Sequence, residues 1–470
     1  MVNVASGYDD LPVIVNDGFL CQYDDRKQRF NGDRERCGMI FLSAGMNMAL
    51  GLGWYHYSLY NSAKHFSYSW FIGVIIGNIL SAPLVNFIPK KFILGLSTFL
   101  ILLEGILFTS APHHYDSLMA ARYFNGIGVG LAIVPFLIHA SEVSTNANRG
   151  SYLALEQYSV SLGIAVQMVY ASLWSYTVDF PINCLHGILD ICFAVLAFIF
   201  LFYFVESPVT YIRKGEDGLA LESLAKLRRP VGVTAEVRAL FEQHKAYVSD
   251  QDSITMAESL RQGLLPLVKM ILYRSLMLAF CYSLPLNAAL QFSIVLNDQS
   301  WAPTTVGFTR ALGSVLAICL MNYVDRKIPS ILSAIIVGGL LIGLGLIFRH
   351  TESILIANEM TTAMILCIVL QLFGGYFAPY TSVYLAEAFP LRMKPYLMDC
   401  CIIIEQILHI ILIETYKYLY MGTNLLVQGI IIMAIFLLIG LTMPETRKTS
   451  LAEAQRRFRK WIYIMLDIEV

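Results

Sequence analysis

The chain has 470 residues, of which 57% are hydrophobic and 14% are charged, and its formal net charge is −1. Soluble globular domains carry about 25% charged residues, so this composition cannot cover a water-exposed surface and indicates a protein immersed largely in lipid. The near-zero net charge gives no indication of a nucleic-acid partner.

The first 37 residues are polar and contain a basic cluster, which predicts a cytoplasmic N-terminal tail over 1–37. No apolar segment follows Met1 at the distance typical of a signal peptide, so we expect the first spanning helix to act as the insertion signal.

Twelve segments are long and apolar enough to cross a bilayer as helices, which takes about 20 residues each. The first six lie at 38–58, 67–87, 92–111, 117–140, 150–174 and 185–205. The second six lie at 267–297, 303–323, 331–349, 359–385, 396–417 and 424–443. This arrangement predicts an N-terminal six-helix bundle over 38–205 and a C-terminal six-helix bundle over 267–443.

A polar stretch over 206–266 separates the two sets, and its Leu and Ala residues recur at helical spacing among charged residues, which predicts a helical linker. Residues 444–470 form a polar C-terminal tail. Lys and Arg concentrate in the loops on the side of the linker and the tails, so the positive-inside rule predicts that both termini are cytoplasmic. The predicted fold is an all-α membrane protein with twelve transmembrane helices in two bundles.

The nine cysteines are scattered and show no Cys-x-x-Cys spacing, which favours buried apolar residues over a metal-binding or disulfide role. No nucleophile–base arrangement, phosphate-binding loop or cluster with metal-ligand spacing stands out in the chain. The sequence therefore predicts no enzymatic activity, no cofactor and no metal site.

Six short motifs lie at the ends of predicted spans. They are Arg122 with Gly126, Gly128 and Gly130; Glu142 with Arg149 and Gly150; Glu206-Ser207-Pro208; Val324-Asp325-Arg326; Glu387-Ala388-Phe389-Pro390 with Arg392; and Pro444-Glu445-Thr446-Arg447. Their order and positions resemble the sugar porter family of the major facilitator superfamily, which includes facilitative glucose and trehalose transporters. The resemblance extends from about Gly38 to Phe458.

This resemblance implies a gate at the cytoplasmic helix ends. Ion pairs between the two halves would close the inner face in one state and separate in the other. The candidate gating residues are Arg122, Glu142, Arg149, Arg326, Glu387 and Arg392. The alternative is that these charges only anchor helix ends at the interface. The loops after the second and eighth spans and the start of the linker depart from the family pattern, which predicts an abbreviated gate.

The resemblance also implies a solute site between the halves near the middle of the membrane. Asn47 stands where proton-coupled members carry Asp, and Gln157 matches the sugar-contacting glutamine of the fifth span. Asn287 is retained in the seventh-span motif, where Tyr282 and its neighbour Cys281 replace two glutamines. Pro379 is retained in the tenth span without the tryptophan that follows it in the family. These replacements predict altered hexose recognition.

Charged groups inside spans are costly and indicate a cavity or a partner. Glu405 and His409 lie four residues apart and share one helix face, so we expect Glu405 to bind a solute donor or a proton while His409 tunes it; the alternative is a structural pair. Arg310 is expected to snorkel near a span end or to contact an anionic solute. Glu156 adjoins Gln157, and Glu104 is expected to be structural at the lipid edge.

Three functions follow from these observations. The first is a carrier of a sugar or polyol, facilitative because Asn47 replaces the carboxylate. The second is a carrier of another small organic solute, charged or linked to protons through Glu405 and His409. The third is a membrane sensor that no longer transports. The expected partners are a small solute and the lipid bilayer; the plasma membrane is the expected location, with an internal membrane as the alternative.

Overall fold

A computed structural model describes residues 38–54, 64–174, 179–228, 232–297, 299–349 and 357–462. The predicted N-terminal tail over 1–37 and the last eight residues of the C-terminal tail lie outside the described residues. Within these ranges the chain is built from eighteen α-helices and two short helical turns of other kinds.

The first half contains six helices in chain order. They are α1 (Met39–Gly51), α2 (Lys64–Phe87), α3 (Lys90–Ser110), α4 (Tyr115–Val143), α5 (Arg149–Leu173) and α6 (Ile182–Phe202). Their bounds agree with the predicted spans to within a few residues, except that the end of the first predicted span runs into 55–63, outside the described residues.

The linker forms three helices, α7 (Pro208–Arg213), α8 (Asp217–Leu227) and α9 (Ala235–Ser253). Two of them begin at a capping side chain that satisfies a free backbone N–H: the Ser207 hydroxyl accepts from the Val209 amide, and the Thr234 hydroxyl accepts from the Val237 amide. We call the end of the bundles that carries these helices the linker face and the opposite end the far face.

The second half begins with a broken segment made of α10 (Met256–Met270), a π-helical turn (Ile271–Ser275), α11 (Leu276–Cys281) and α12 (Leu284–Asn297). It continues with α13 (Ala302–Leu320), α14 (Lys327–Arg349), α15 (Ala357–Ala388), α16 (Lys394–Thr415) and α17 (Met421–Thr442), and α18 (Leu451–Phe458) follows in the tail. Because α10 already begins at Met256, the predicted boundary between linker and second bundle at residue 266 falls inside a helix.

Ten helical segments of the described chain are long and apolar enough to cross a membrane, with Met256–Asn297 counted as one. The other two predicted spans correspond to α1, which has 13 residues, and to the more polar α5, which has 25. Large apolar side chains such as Leu80, Phe92 and Leu441 point outward, as expected for surfaces that face lipid. The predicted all-α architecture is confirmed.

The glycines after Arg122 allow α4 to pack closely against α2. A Cβ atom at Gly126 or Gly130 would collide with the backbone of α2, closer than real Cβ atoms approach. Small residues at such crossings let the helix backbones approach closely. This matters in a membrane because the hydrophobic effect does not drive helices together in lipid. This part of the motif therefore has a packing role.

The two halves meet along two seams. In one seam α5 of the first half packs against α13 and α15 of the second, and in the other α2 packs against α16. The residues at mid-height along these seams surround the candidate site.

Candidate functional site

Three charged residues join the two halves at the linker face. Arg149, at the start of α5, places Nε 2.6 Å from Oε1 of Glu387, at the end of α15. Arg326 places Nη1 3.1 Å from both Glu387 oxygens. All three side chains are buried, so removal of one partner would leave an unpaired charge in a dry site. The structure brings these three candidate gating residues together.

The motif before α14 and the motif after α17 support this cluster. The Glu445 carboxylate accepts from the backbone amides of Arg326 and Lys327 at 2.7 and 2.9 Å. Arg326 also donates to the Thr446 hydroxyl at 3.1 Å, and Arg447 pairs with Asp325 at 3.1 Å. The two motifs therefore form one unit that orients the Arg326 guanidinium.

Glu142 belongs to a second buried cluster on the same face. Lys90 Nζ lies 3.3 Å from a carboxylate oxygen of Glu142 and 3.3 Å from one of Glu206. This cluster joins the first half to the linker. The contact with the second half comes from Lys394, whose Nζ donates to the Ser141 hydroxyl at 2.6 Å.

Two candidate gating residues lie elsewhere, and their assignment is corrected. Arg122 lies 20 residues before Glu142 in α4, which corresponds to about 30 Å along the helix, near the far face. Its guanidinium donates to the backbone carbonyls of Asn47 and Phe66. Arg392 donates to the Ile254 carbonyl just after α9, so it anchors the linker. The motif placed Arg122 near the end of a span, but it did not show at which of the two faces that end lies.

A central cavity lies between the halves, above the linker-face cluster. Its walls come from α1, α2, α4 and α5 of the first half and from the segment around Arg274, α13 and α16 of the second. Phe41, Met48 and Trp70 give it apolar walls, and Gln157 and Gln406 add amides. The arrangement suits a solute with a polar rim and an apolar face.

Arg274, in the π-helical turn, binds carboxylates of both halves inside this cavity. Its Nη2 lies 3.1 Å from Glu156 Oε1, and its Nε lies 3.1 Å from Glu405 Oε2. Ser382 donates to the same Glu156 carboxylate, and the Gln157 amide donates to Glu156 at 2.8 Å. Glu156, Arg274 and Glu405 thus form a buried triad that spans the interface, and Gln157 belongs to its surroundings.

His409 does not contact Glu405 through a hydrogen bond. Its ring stacks on Phe71 of α2 with the centroids 4.7 Å apart, and neither ring nitrogen has a hydrogen-bond partner among the described residues. The triad shows that the partner of Glu405 is Arg274, so the expected tuning of Glu405 by His409 has no direct contact to support it.

Arg310 is buried in the second half, so the expectation that it snorkels is wrong. Its Nη1 donates to Gln371 at 2.7 Å, and its guanidinium lies 5.0 Å from the centre of the Tyr282 ring. It lines the cavity, which agrees with the alternative of a solute contact. The Tyr282 hydroxyl is buried and has no hydrogen-bond partner in the described part of the chain.

The remaining candidate solute residues are buried in different surroundings. The Asn287 side-chain amide has no hydrogen-bond partner among the described residues, and a buried amide of this kind is available to a polar ligand. Pro379 lies inside α15, shortly before the Thr381 and Ser382 hydroxyls that accept from Arg274. Asn47 points away from the cavity and donates to Glu104 at 2.5 Å.

Arg274, His186 and Asp190 were not predicted as functional residues from the sequence. All three lie inside predicted spans, where any charge is costly, so the rule that selected Glu405 also applied to them. His186 and Asp190 lie four residues apart, as do Glu405 and His409. Glu104 was expected at the lipid edge, but it is fully buried and contacts this pair.

Comparison with known proteins gives a consistent result. The sequence profile of the family described as "Sugar (and other) transporter" matches residues 50–458. The facilitated trehalose transporter Tret1 of Apis mellifera ligustica is 22% identical over 402 residues, covering 82% of this chain and 78% of that protein. The probable polyol transporter 3 of Arabidopsis thaliana is 23% identical over 422 residues, covering 82% of this chain and 81% of that protein.

Solved structures show the same fold. The proton:xylose symporter XylE bound to 6-bromo-6-deoxy-D-glucose, a major facilitator superfamily protein, superposes with a TM-score of 0.73 at 17% identity, covering 90% of this chain and 97% of that one. The inward open conformation of the xylose transporter XylE from E. coli superposes with a TM-score of 0.60 at 17% identity, over 90% and 98% of the two chains. The two six-helix bundles are those of the major facilitator fold.

Proposed function

The chain belongs to the "Sugar (and other) transporter" family, a family of membrane carriers rather than enzymes, and on this premise we propose that it moves a sugar or a polyol across the membrane by alternating access. The observation that carries the proposal is the central cavity lined by both halves, with buried ion pairs between the halves below it. Such pairs bias a two-state rocking motion, because they form in one state and separate in the other.

The lining residues favour a neutral polyhydroxylated solute. The Gln157 and Gln406 amides can donate to and accept from hydroxyl groups, and Trp70 offers an aromatic face to the apolar side of a sugar ring. Relatives named for trehalose and for polyols support the same class. The retained amide of Asn287 is a further candidate contact.

We place the linker face in the cytoplasm and the carrier in the plasma membrane. Lys and Arg residues of the short loops lie on the linker face, as the positive-inside rule requires, and the N-terminal basic cluster belongs to the same side by sequence.

Uptake and counterflow in proteoliposomes test the proposal. Purified protein should exchange at least one labelled solute from a panel containing trehalose, glucose, xylose, sorbitol and inositol. Gln157→Ala should raise KM for that solute by roughly 5–10-fold, because one hydrogen bond is worth about 1 kcal/mol. Gln428→Ala, which removes a buried amide of α17 outside the cavity lining, is the matched control. Counterflow of none of these solutes would contradict the proposal.

The Glu156–Arg274–Glu405 triad favours a second candidate, a carrier of a charged organic solute. A cationic solute would compete with Arg274 for the two carboxylates, and an anionic solute would compete with them for Arg274. Organic cations and anions therefore belong in the same uptake panel, and exchange restricted to either of them would favour this candidate.

A further inference from the structure

A second buried polar cluster lies inside the first half, apart from the cavity. Glu104 comes from α3, and His186 and Asp190 come from α6. His186 Nε2 lies 3.1 Å from an Asp190 oxygen and 3.7 Å from a Glu104 oxygen. All three residues are at most 1% exposed. The proposed solute site uses none of them.

The charges in this cluster do not balance. The groups that face it from the packed helices are Ser43 and Asn47 of α1, Asn125 of α4, Gln167 and Tyr170 of α5, and the Phe108 ring of α3. The guanidinium of Arg122 donates to the Asn47 carbonyl behind it. Two carboxylates therefore face one imidazole. Even with His186 protonated the formal charge is −1, and a buried net charge costs several kcal/mol. A further cation would remove this cost.

The donors around Glu104 favour a proton over a metal ion. Asn47 Nδ2 lies 2.5 Å from Oε1 of Glu104, and Asn125 Nδ2 donates to Oε2. Amide N–H groups that already occupy both oxygens would repel a metal ion there. Asp190 differs, since its oxygens contact His186 but have no hydrogen-bond partner in the described part of the chain. A carboxyl proton fits this arrangement.

A hydrogen-bond route leads from His186 to the far face. Its Nδ1 lies 3.0 Å from Gln167 Oε1 and 2.7 Å from the Tyr170 hydroxyl. Gln167 Nε2 donates to the Trp54 carbonyl at 2.7 Å, just after α1. Gln291, on α12 of the other half, donates to the adjacent Gly53 carbonyl at 2.8 Å. One short backbone segment therefore receives a bond from each half.

We propose that Glu104, His186 and Asp190 form a proton-binding centre whose occupancy controls the contact between the two halves at the far face. With a doubly protonated ring, His186 pairs through Nε2 with the Asp190 carboxylate and donates through Nδ1 to Gln167. This holds the Gln167 amide with its NH₂ group on the Trp54 carbonyl. Loss of the ring proton on Nδ1 makes Nδ1 an acceptor for the Tyr170 hydroxyl, which otherwise donates to the Gln167 oxygen. The Gln167 oxygen then loses its donors, and the end of α1 is held less firmly.

The proposal rests on alternating access but not on the identity of the solute. It makes transport sensitive to protons although Asn47 replaces the α1 carboxylate of proton-coupled relatives. Measurements that need no solute therefore distinguish failure of the proton-binding proposal from failure of the proposed carrier function.

Infrared difference spectroscopy of the purified protein tests proton binding. Wild type should show the carbonyl band of a buried protonated carboxyl group and the ring bands of doubly protonated His186, and both should disappear as the pH rises. Asp190→Asn should abolish the carboxyl component and Glu104→Gln should shift or abolish it; both replacements are isosteric, and a monodisperse gel-filtration profile checks folding. Glu405→Gln, which removes a carboxylate of the cavity triad, is the matched control and should leave the component in place.

Three results would overturn proton binding. They are a carboxyl band unchanged in both Asp190→Asn and Glu104→Gln, a component lost only in Glu405→Gln, or one stoichiometric metal ion that elemental analysis finds in wild type and not in Asp190→Asn.

Spin-label distances test the control of the far face. Labels at the exposed residues Asp116 and Asn358, at the far ends of α4 and α15, would be placed in a background without native cysteines. The distance should lengthen as the pH rises, and Asp190→Asn should remove that change. Gln167→Leu should also remove the change in distance with pH, while the carboxyl component of the infrared spectrum persists. A distance that does not depend on pH in wild type, or one that still depends on pH in Gln167→Leu, would refute the coupling.

Discussion

At the scale of single residues, Arg274 decides the electrostatics of the cavity. Its guanidinium holds carboxylates from two different halves, Glu156 from α5 and Glu405 from α16. The three side chains are almost completely buried. In such a site the pairing offsets the loss of hydration only while every partner is present.

We therefore expect Arg274→Met to destabilise the protein by about 3–5 kcal/mol, because it leaves two unpaired buried carboxylates. The triple variant Arg274→Met, Glu156→Gln, Glu405→Gln should recover most of the loss, since it removes the whole charged set. Thermal unfolding of the detergent-solubilised protein, followed by gel filtration, measures both. A triple variant no more stable than the single one would show that Arg274 acts through packing.

Some residues of the cavity could be predicted from the sequence and others could not, because the sequence marks them in different ways. Glu405 was selected as a candidate because a charge inside a span is costly. Gln157 was selected because the fifth-span motif has a fixed spacing. Arg274 carries the same cost but lies in an apolar run that was taken as one continuous span. Its partners lie 118 and 131 residues away in the chain, so no local pattern pairs them.

At the scale of helices, α5 connects the three functional levels. Arg149 lies at its linker-face end, Gln157 at the cavity, and Gln167 at the far face. Successive intervals of 8 and 10 residues correspond to about 12 and 15 Å along the helix axis. A displacement of α5 relative to α13 and α15 therefore acts on all three levels together.

The close approach of α1 and α5 depends on Gly163. A Cβ atom at this position would collide with the backbone carbonyl of Leu42. Gly163→Ala should therefore destabilise the protein by about 1–3 kcal/mol through overpacking. Gly339→Ala, in α14, is the matched control, since a Cβ there meets nothing within 4 Å. Melting temperatures of the two variants measure the difference, and equal values would contradict the packing role.

Most helix positions were predicted to within a few residues, while the beginning of α10 and the breaks within the seventh predicted span were not. Hydropathy and length mark where a chain can cross a bilayer, and most bounds followed from them. The interruption at Tyr282 and Ser283 lies just before Pro285, which cannot donate a backbone hydrogen bond to the Cys281 carbonyl, and the π-helical turn at Ile271–Ser275 contacts α15 and α16. Broken helices at mid-membrane mark binding sites in transporters, and here the turn carries Arg274.

At the scale of the whole molecule, contacts between the halves occur at both faces. At the linker face Glu387 binds Arg149 across the interface, and at the far face Gln291 binds the Gly53 carbonyl. The linker-face ion pair is buried and charge-assisted, whereas the far-face contacts are neutral hydrogen bonds, such as those of Gln291 and of Ser172 with Thr304, and the exposed ion pair of Lys64 with Glu414. The linker-face contact is therefore expected to be the stronger of the two.

Loss of the linker-face pair should open that face. Glu387→Gln removes the attraction to both Arg149 and Arg326, and a loss of about 1.4 kcal/mol corresponds to a tenfold change in population. A cysteine at Ser151, which bonds Asn322 across the interface, reports on opening through its reaction with a polar thiol reagent. We expect at least a roughly tenfold faster reaction in Glu387→Gln. Glu453→Gln, at a partly buried ion pair within α18, is the control and should leave the rate unchanged.

Alternating access also predicts that loss of a contact at the far face has the opposite effect on the opening of the linker face. Gln291→Leu removes the bond to the Gly53 carbonyl and should favour the state in which the far face is open. The halves rock as rigid bodies around the cavity, so that state keeps the linker face closed. The Ser151 reporter should then react more slowly than in the background protein, and Glu387→Gln combined with Gln291→Leu should give an intermediate rate. Faster reaction in both single variants would mean that the faces open independently, as in a channel, and would rule out the carrier mechanism.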